Sequence, residues 1–260
     1  MKPILFQWGN LSLHSFGVLV ALGFIAGLWV AARNARRVGL SADVIHDLTP
    51  WLVLGGLMGA RALYVISYWD RDFAGRPVWD VLAIWKGGLV FYGGLIAATL
   101  TGLWRLHRLK LPVWSVADCL APGIVLGHAF GRIGCLMNGC CYGRPLAAPW
   151  AIHFPTGHET AGVGVHPAQL YESALNLVFF ALLMTAFSRR RFEGQVFCLY
   201  LVGYAILRST VEVFRGDYGL AGASPASRLT PGQLTSLLIL GSGVALYQIL
   251  RKRTPSPRLS

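Results

Sequence analysis

The chain has 260 residues, of which 55% are hydrophobic and only 13% are charged. With a mean hydropathy of +0.54, it holds more apolar surface than one soluble core of that size can bury, so a soluble globular domain is excluded. The net charge of +12 does not indicate nucleic-acid binding, because the basic residues stand in short clusters just beyond apolar stretches. We therefore expect an all-α integral membrane protein.

Seven apolar stretches approach the length of roughly 20 residues that a helix needs to cross the hydrocarbon. They predict one polytopic membrane domain over residues 1–253, followed by a disordered tail at 254–260. No small-residue cleavage site follows the first stretch, so we expect it to be retained as a span. The predicted spans are 13–32, 48–69, 87–104, 113–136, 169–187, 194–215 and 232–250.

Basic residues set the predicted orientation. More than half of the 23 lysines and arginines follow the first, third, fifth and last spans, so the positive-inside rule makes that face cytoplasmic. The N-terminus is then periplasmic and the C-terminus cytoplasmic, in a bacterial inner membrane. The periplasmic face carries three longer connections that can meet an exported substrate, at 70–86, 138–168 and 216–231. In the first of them Trp79 and Trp85 flank a short amphipathic segment, which suits a helix or a simple aromatic anchor at headgroup level.

Ionisable residues inside the predicted spans are the first indication of function, because a charge in hydrocarbon needs a partner, a cavity or a substrate. Arg208, Glu212 and Arg215 share one helix face at i, i+4 and i+7, so Glu212 can pair with either arginine. Together with Arg61 and Arg132 these five charges are four positive against one negative, which predicts an anion at the site. Guanidinium groups bind phosphate oxygens bidentately, so we expect a lipid phosphate. For Arg61, snorkelling or hydrogen bonding to nearby carbonyls is the stronger expectation.

The densest motif runs over residues 127–145, where five glycines surround Arg132. Glycines at this density indicate close backbone approach or a broken helix, and non-helical backbone at membrane depth is tolerated where it lines a cavity. The segment therefore predicts a site.

Three of the five cysteines, Cys135, Cys140 and Cys141, lie in this segment. They can ligate zinc together with His153 or His166, although their spacing is not a usual zinc pattern. Alternatively, Cys135 and Cys140 form a disulfide on an oxidising face, or the thiols pack as small apolar groups against the glycine-rich turn. These alternatives stay open; the spacing leads us to expect no metal, and no cofactor is expected.

The start of the fifth predicted span carries a second polar group, consisting of His166, Gln169, Tyr171 and Glu172. These side chains can line an entrance for a peptide substrate, for which we select His166, Gln169 and Tyr171. They can equally cap the helix, and capping is the expectation for Gln169 and Glu172 because acceptors are favoured near a helix N-terminus.

Short motifs follow one another along the chain, and their order carries more weight than any one of them. They are Leu13 to Gly17, Gly59 to Arg61, Gly87 to Ile96, Gly131 to Gly134 with Asn138-Gly139 and Gly143-Arg144, His166 to Glu172, Arg208 to Arg215, and Gly232-Gln233. In this order they resemble the prolipoprotein diacylglyceryl transferase family over nearly the whole chain. The Gly-Cys-Cys-Tyr-Gly motif at 139–143 resembles a divergent branch of that family.

The resemblance implies an enzyme that takes phosphatidylglycerol from the outer leaflet. It would transfer the diacylglyceryl group to the lipobox cysteine thiol of an exported prolipoprotein, forming a thioether and releasing glycerol 1-phosphate. By position, Arg132 and Arg208 match the family's two essential arginines and are expected to clamp the phosphate. The phosphatidylglycerol site is expected to include also Asn138, Gly143, Arg61, Glu212 and Arg215.

Four matched positions differ from the family's commoner pattern. They are Tyr92 for the histidine proposed to activate the thiol, Phe16 for a tyrosine, Cys135 for an asparagine and Cys140 for a glutamate. A tyrosine is a poor base at neutral pH, so Tyr92 is expected to hydrogen-bond the phosphate. His128, one turn before Arg132, can take the base role or can be a packing residue near the helix end. These differences keep open an alternative function, a catalytically silent relative that binds anionic phospholipid or lipoprotein.

Overall fold

The computed structural model describes residues 3–8, 11–215 and 230–253. Most of the predicted connection 216–231 and the whole predicted tail 254–260 therefore lie outside the described residues. The chain forms two compact units, one of residues 1–31 with 117–260 and one of residues 32–116. Each unit is described by itself below.

Helices dominate both units, as expected. The helices are α1 Ser15–Arg37, α2 Asp43–Ser67, α3 Trp69–Asp72, α4 Phe91–Arg108, α5 Val113–Asn138, α6 Ala168–Ser188, α7 Gln195–Phe214 and α8 Pro231–Arg253. Two short antiparallel strand pairs accompany them, β1 Ile4–Trp8 with β2 Leu11–His14 and β3 Ile152–His153 with β4 Gly164–Val165.

Six helices among the described residues are long and apolar enough to cross a membrane, namely α1, α2, α5, α6, α7 and residues 232–253 of α8. The chain is thus an all-α multi-pass membrane protein. Helix α4, the predicted third span, has 18 residues and carries Arg105, His107 and Arg108 in its last turn, which leaves it less apolar than the others. The seven-span topology and its orientation stay predictions.

Two of the boundaries that differ from the predicted ones lie beside clear local features. Helix α4 begins at Phe91 rather than at 87, because Gly87 and Gly88 have φ angles of 82° and 74° that cannot continue into a right-handed helix. Helix α2 begins at Asp43, five residues before the predicted 48, directly after a turn in which the backbone N–H of Asp43 donates to Ser41 Oγ at 3.1 Å.

The segment between Trp79 and Trp85 is not an α-helix. It forms two short 3₁₀ helices, Val78–Leu82 and Ile84–Lys86, in place of one continuous helix. Both tryptophan side chains remain uncovered by protein, which keeps the role of an aromatic anchor at headgroup level.

Small residues allow close helix packing in each unit. In residues 32–116, a Cβ added to Gly59 of α2 would lie 2.5 Å from the carbonyl oxygen of Gly93 in α4. In the other unit, a Cβ on Gly27 of α1 would lie 2.7 Å from the carbonyl oxygen of Gly123 in α5. Helices that pack through small residues bring their backbones into direct contact, as is common in membranes.

A buried carboxylate fixes the start of α7 against α5. Asp118 is fully buried and accepts hydrogen bonds from the backbone N–H groups of Gly194 and Phe197, each at 2.9 Å. Arg190 Nη1 lies 3.3 Å from the same carboxylate. At the opposite ends of these helices, the last turns of α5 and α7 lie beside the first turns of α6 and α8.

Candidate active site

The charged centre of the site is an ion pair between α5 and α6. Arg132 Nε lies 2.9 Å from Glu172 Oε1, and Glu172 is only 2% exposed. Next to this pair, Ser173 Oγ donates to the carbonyl oxygen of Ala129 at 3.0 Å, so α5 and α6 are fixed together at this depth. A buried carboxylate thus faces the Nε side of the Arg132 guanidinium.

The ring of His128, one turn before Arg132 on α5, joins this pair. Arg132 Nε donates to His128 Nε2 at 3.2 Å, and the same ring nitrogen lies 3.4 Å from Glu172 Oε1. A nitrogen that accepts from an arginine presents its lone pair to that arginine. His128 must therefore give up this bond before it can take a proton from a substrate.

A second ion pair lies within α7. Arg208 Nη1 is 2.6 Å from Glu212 Oε2, at the i, i+4 spacing. The other oxygen of Glu212 accepts from Thr230 Oγ1 at 2.9 Å, and a Cβ on Gly232 would lie 2.6 Å from it. The first turn of α8 thus closes over the carboxylate, and of the two partners predicted for Glu212 the structure selects Arg208.

The two ion pairs belong to one electrostatic site. Glu172 lies within electrostatic range of Arg132, Arg208 and Arg215, and His128 lies within range of both Arg132 and Arg208. The site therefore concentrates three guanidinium groups around two carboxylates.

Glu172 corrects the predicted charge balance. From the sequence, Glu212 is expected to be the single negative partner of the buried arginines, and Glu172 is expected to cap α6. The residue before α6 is Pro167, and no side chain caps that helix; Glu172 instead pairs with Arg132. Arg132 and Arg208 are therefore each paired, and the expected excess of four to one was wrong. The partner was missed because the pairing runs between two helices and has no fixed sequence spacing.

Gln169 also differs from its expected place. It is only 1% exposed, and its Nε2 donates to the carbonyl oxygen of Cys140 at 2.8 Å. A buried side chain in this position neither caps α6 nor lines an open entrance. Gln169 fixes the backbone that follows α5.

His166 and Tyr171, the other predicted entrance residues, meet as expected for neighbours on one surface. Tyr171 Oη lies 3.5 Å from His166 Nδ1. Both rings pack against Phe214, with centroid distances of 5.6 Å and 5.7 Å. They form an aromatic cluster at the end of α7, and their contact with a peptide stays a prediction.

The backbone of Gly143 closes the site through hydrogen bonds on both sides. Gly143 N donates to the His166 carbonyl oxygen at 3.0 Å, and Arg144 N donates to that of Phe214 at 2.9 Å. A Cβ on Gly143 would lie 2.7 Å from the first oxygen and 2.8 Å from the second. A glycine is required because any side chain would collide with backbone, so Gly143 shapes the site through its backbone.

Arg215 and Asn138 border the same loop. Arg215 forms an isolated β-bridge with Gly143, and its carbonyl oxygen accepts from Arg144 Nε at 3.1 Å. Asn138 is the last residue of α5 and its side chain is exposed. Both residues thus lie at the edge of the region where the sequence predicts phosphatidylglycerol.

Comparison with known proteins adds evidence over the whole length. The sequence profile of the family described as prolipoprotein diacylglyceryl transferase matches residues 3–249. Relatives from Parasynechococcus marenigrum, Geobacter sulfurreducens and Bordetella bronchiseptica are each 35% identical to the chain, with 98%, 99% and 98% of it aligned. The alignments cover 96%, 98% and 97% of those proteins, each named phosphatidylglycerol–prolipoprotein diacylglyceryl transferase. The chain belongs to the prolipoprotein diacylglyceryl transferase family.

The expected membership in the prolipoprotein diacylglyceryl transferase family is thus confirmed, and two of its unusual residues can be located. Phe16 lies in the first turn of α1, where its Cδ2 would be 3.0 Å from a Cβ on Gly134. Tyr92 lies in the first turn of α4, in the unit of residues 32–116, is 59% exposed and packs edge-to-face on Phe91. The role of Tyr92 stays a prediction.

Arg61 also lies in the unit of residues 32–116, where it binds backbone. Its guanidinium donates to four carbonyl oxygens at 2.5 to 3.0 Å, those of Asp80, Val81, Gly87 and Gly88. This is the carbonyl bonding that the sequence favoured. These hydrogen bonds compensate for the buried charge of Arg61 without an anion. The prediction that Arg61 belongs to the phosphatidylglycerol site is therefore corrected.

Arg61 borders a polar cavity of about 330 Å³ that Arg71, Asp72 and Tyr64 also line. Asp72 Oδ2 accepts from Tyr64 Oη at 2.5 Å and from Arg71 Nη2 at 3.0 Å. The hydrogen bonds from Arg71 and then Tyr64 lower the pKa of Asp72 to about 2. The carboxylate of Asp72 in the cavity wall therefore stays ionised at any physiological pH.

Proposed function

We propose that this chain transfers the diacylglyceryl group of phosphatidylglycerol to the lipobox cysteine thiol of an exported prolipoprotein, the first step of bacterial lipoprotein maturation. One observation carries the proposal: the ion pairs Arg132–Glu172 and Arg208–Glu212 lie in one buried site. The chain around them is similar, over its full length, to proteins named for that activity.

The paired arginines suit a phosphodiester headgroup. Arg132 uses its Nε edge toward Glu172 and His128, and a guanidinium has four further N–H donors at its two terminal nitrogens. Those donors match two oxygens of a phosphate. Glu172 and Glu212 place the two guanidinium groups in the site before the lipid arrives. When the phosphate binds, only the contact between Arg132 and His128 needs to change.

The reaction needs one bond to form and one to break. The thiolate sulfur of the lipobox cysteine attacks the glyceryl C3 carbon of the lipid, forming the carbon–sulfur bond of the thioether. The bond between C3 and the phosphate oxygen breaks, its electron pair stays on that oxygen, and glycerol 1-phosphate leaves. Negative charge grows on the phosphate during this step, and Arg132 and Arg208 stabilise it.

The thiol proton requires an acceptor, for which His128 and Tyr92 are the two candidates. His128 lies in the charged site but accepts a hydrogen bond from Arg132. Phosphate binding to Arg132 would draw that guanidinium away and release the imidazole nitrogen. His128 is therefore the preferred base, with Tyr92 assigned to hydrogen bonding.

The acceptor peptide is proposed to approach along the cluster of His166 and Tyr171, next to the loop that Gly143 closes. The proposed setting is a bacterial inner membrane with seven spans, the site toward its periplasmic side. In this orientation the headgroup of an outer-leaflet lipid and an exported thiol reach the same side.

The test is transfer from radiolabelled phosphatidylglycerol to a lipobox peptide by purified protein. Arg132→Ala and Arg208→Ala, made separately, each remove phosphate donors and should lower the rate about 100-fold or more. Arg36→Ala is the matched control, because Arg36 is exposed at the far end of α1. In the same assay, His128→Gln should remove more activity than Tyr92→Phe.

Retained transfer in both arginine variants would contradict the phosphate role. Absence of transfer in the unsubstituted protein, with phosphatidylglycerol still bound, would instead favour the alternative of a silent lipid-binding relative.

A further inference from the structure

Three cysteine side chains converge where α5 ends, and nothing in the proposed reaction uses them. The Sγ atoms of Cys135, Cys140 and Cys141 all lie within 4.8 Å of one another, and each residue is half-buried. None of the five cysteines is disulfide-bonded, so the disulfide alternative is not formed here. The cluster of these three residues is called the thiol triad below.

The backbone brings the triad together through a tight reversal. Gly139 has a φ of 80° and ends α5 in the left-handed conformation, and Cys140 N then donates back to the Cys135 carbonyl oxygen at 3.1 Å. Cys141 follows with a φ of 62°, which only a few per cent of non-glycine residues adopt. The chain thus folds both later thiols over Cys135.

Neighbouring elements hold this reversal in place. Gln169 of α6, itself 1% exposed, donates to the Cys140 carbonyl oxygen at 2.8 Å. On the other side, His158 Nε2 lies 2.7 Å from the Gly139 carbonyl oxygen. A site fixed from both sides needs only small side-chain rotations to bring its donors to a bound ion.

We propose that Cys135, Cys140 and Cys141 bind one Cu⁺ ion in three-sulfur coordination. Thiolate ligands select soft cations such as Cu⁺. A metal–sulfur distance of about 2.3 Å requires sulfur–sulfur distances of about 4 Å in a trigonal site, so the thiols need to close by less than about 1 Å.

Zn²⁺ fits this donor set less well. Structural zinc is almost always four-coordinate, whereas the group of close donor atoms found in the described part of the chain contains the three cysteines alone. His153 and His166, which the sequence offered as further ligands, are not members of that group. Three sulfurs complete a trigonal Cu⁺ site but leave a zinc ion one protein ligand short.

The charge of such a site has a counterion in the same region. Three thiolates with one Cu⁺ carry two net negative charges, which a partly buried position tolerates only beside a cation. Arg132 lies within electrostatic range of Cys135. Binding releases the three thiol protons to solvent, so the affinity should rise with pH. This inference does not rest on the proposed function.

The test uses full-length protein in detergent, reduced and handled without oxygen. Cu⁺ is supplied as its complex with bathocuproine disulfonate, a coloured Cu⁺ chelator, and the loss of colour measures transfer to the protein. We expect one equivalent to bind, with an X-ray absorption spectrum of three sulfur neighbours. A triple variant that carries Cys135→Ser, Cys140→Ser and Cys141→Ser together sets the background level of bound copper. Each of the three substitutions, made singly, should reduce bound copper to that level.

Cys119→Ala and Cys198→Ala are the matched controls, because these buried cysteines belong to α5 and α7 outside the triad. Both should keep the full equivalent. Circular dichroism and the elution volume in size-exclusion chromatography identify any variant that has lost its fold. If the variants do not fold, the X-ray absorption spectrum of the unsubstituted protein alone tests the three-sulfur site. No copper above the triple variant, or a preference for Zn²⁺ with four neighbours, would overturn the proposal.

Discussion

At the scale of single residues, the site depends on carboxylates that orient arginines. Glu172 is only 2% exposed, and its Oε1 atom lies close to both Arg132 and His128. Its loss leaves a buried guanidinium without its partner, and removing one member of a buried ion pair is strongly destabilising.

We therefore expect Glu172→Ala to destabilise the protein by about 3 kcal/mol or more, measured as loss of resistance to denaturant in detergent. Glu172→Gln keeps a hydrogen-bond acceptor in the same place and should lose less stability while still lowering transfer, because the amide no longer neutralises Arg132. Equal stability of the alanine variant and the unsubstituted protein would show that the ion pair is not structurally important.

Some residues of the site can be predicted from the sequence and others cannot. Arg132, Arg208 and Glu212 can be predicted as site residues, because a charge inside an apolar stretch is costly unless it contacts a partner, a cavity or a substrate. The helical spacing allows Glu212 to pair with Arg208 or Arg215, and the structure is needed to show that the partner is Arg208. Glu172 was misassigned because its partner lies on another helix, and the convergence of the three thiols depends on backbone angles at Gly139 and Cys141 that no spacing encodes.

At the scale of elements, the loop after α5 connects the site's helices. Gly143 donates to His166 before α6, and Arg144 donates to Phe214 at the end of α7. The loop therefore sets the distance between the helix that carries Arg132 and the helix that carries Arg208.

Gly143→Ala tests this role, since its Cβ would meet two backbone oxygens that cannot rotate away. We expect a transfer rate at least tenfold lower, since small displacements of catalytic groups carry large costs, and a lower melting temperature. Gly131→Ala is the matched control because a Cβ there meets nothing within 4 Å. If both alanine variants behaved alike, the close approach at Gly143 would be unimportant.

Element boundaries were predictable where hydropathy alone decides them. Helix α5 covers Val113–Asn138 against a predicted 113–136. The start of α4 was misplaced because Gly87 and Gly88 are apolar enough to extend a hydropathy window but adopt left-handed angles. The strand pair β1–β2 was not predicted, since a pair of short strands carries little periodic signal before an apolar helix.

Across the whole molecule, six helices among the described residues qualify as spans by length and composition, and α4 is the seventh in our predicted topology. The basic residues at the end of α4 are consistent with a cytoplasmic end for that helix.

The topology predicts that single cysteines at Lys110 and Arg189, introduced into a variant lacking the native cysteines, resist a membrane-impermeant thiol reagent in intact cells. A cysteine at Gly157, in the connection between α5 and α6, should be labelled. Labelling at Lys110 with protection at Gly157 would reverse the orientation and place the site on the wrong side for an exported thiol.

The proposed activity is a chemical conversion, and mass spectrometry of a synthetic lipobox peptide detects its product. Purified protein is incubated with the peptide and vesicles containing phosphatidylglycerol as the single anionic lipid. We expect a peptide heavier by one diacylglyceryl group at its cysteine and an equal amount of glycerol 1-phosphate. An unmodified peptide, with protein that still binds phosphatidylglycerol, would contradict the proposed activity.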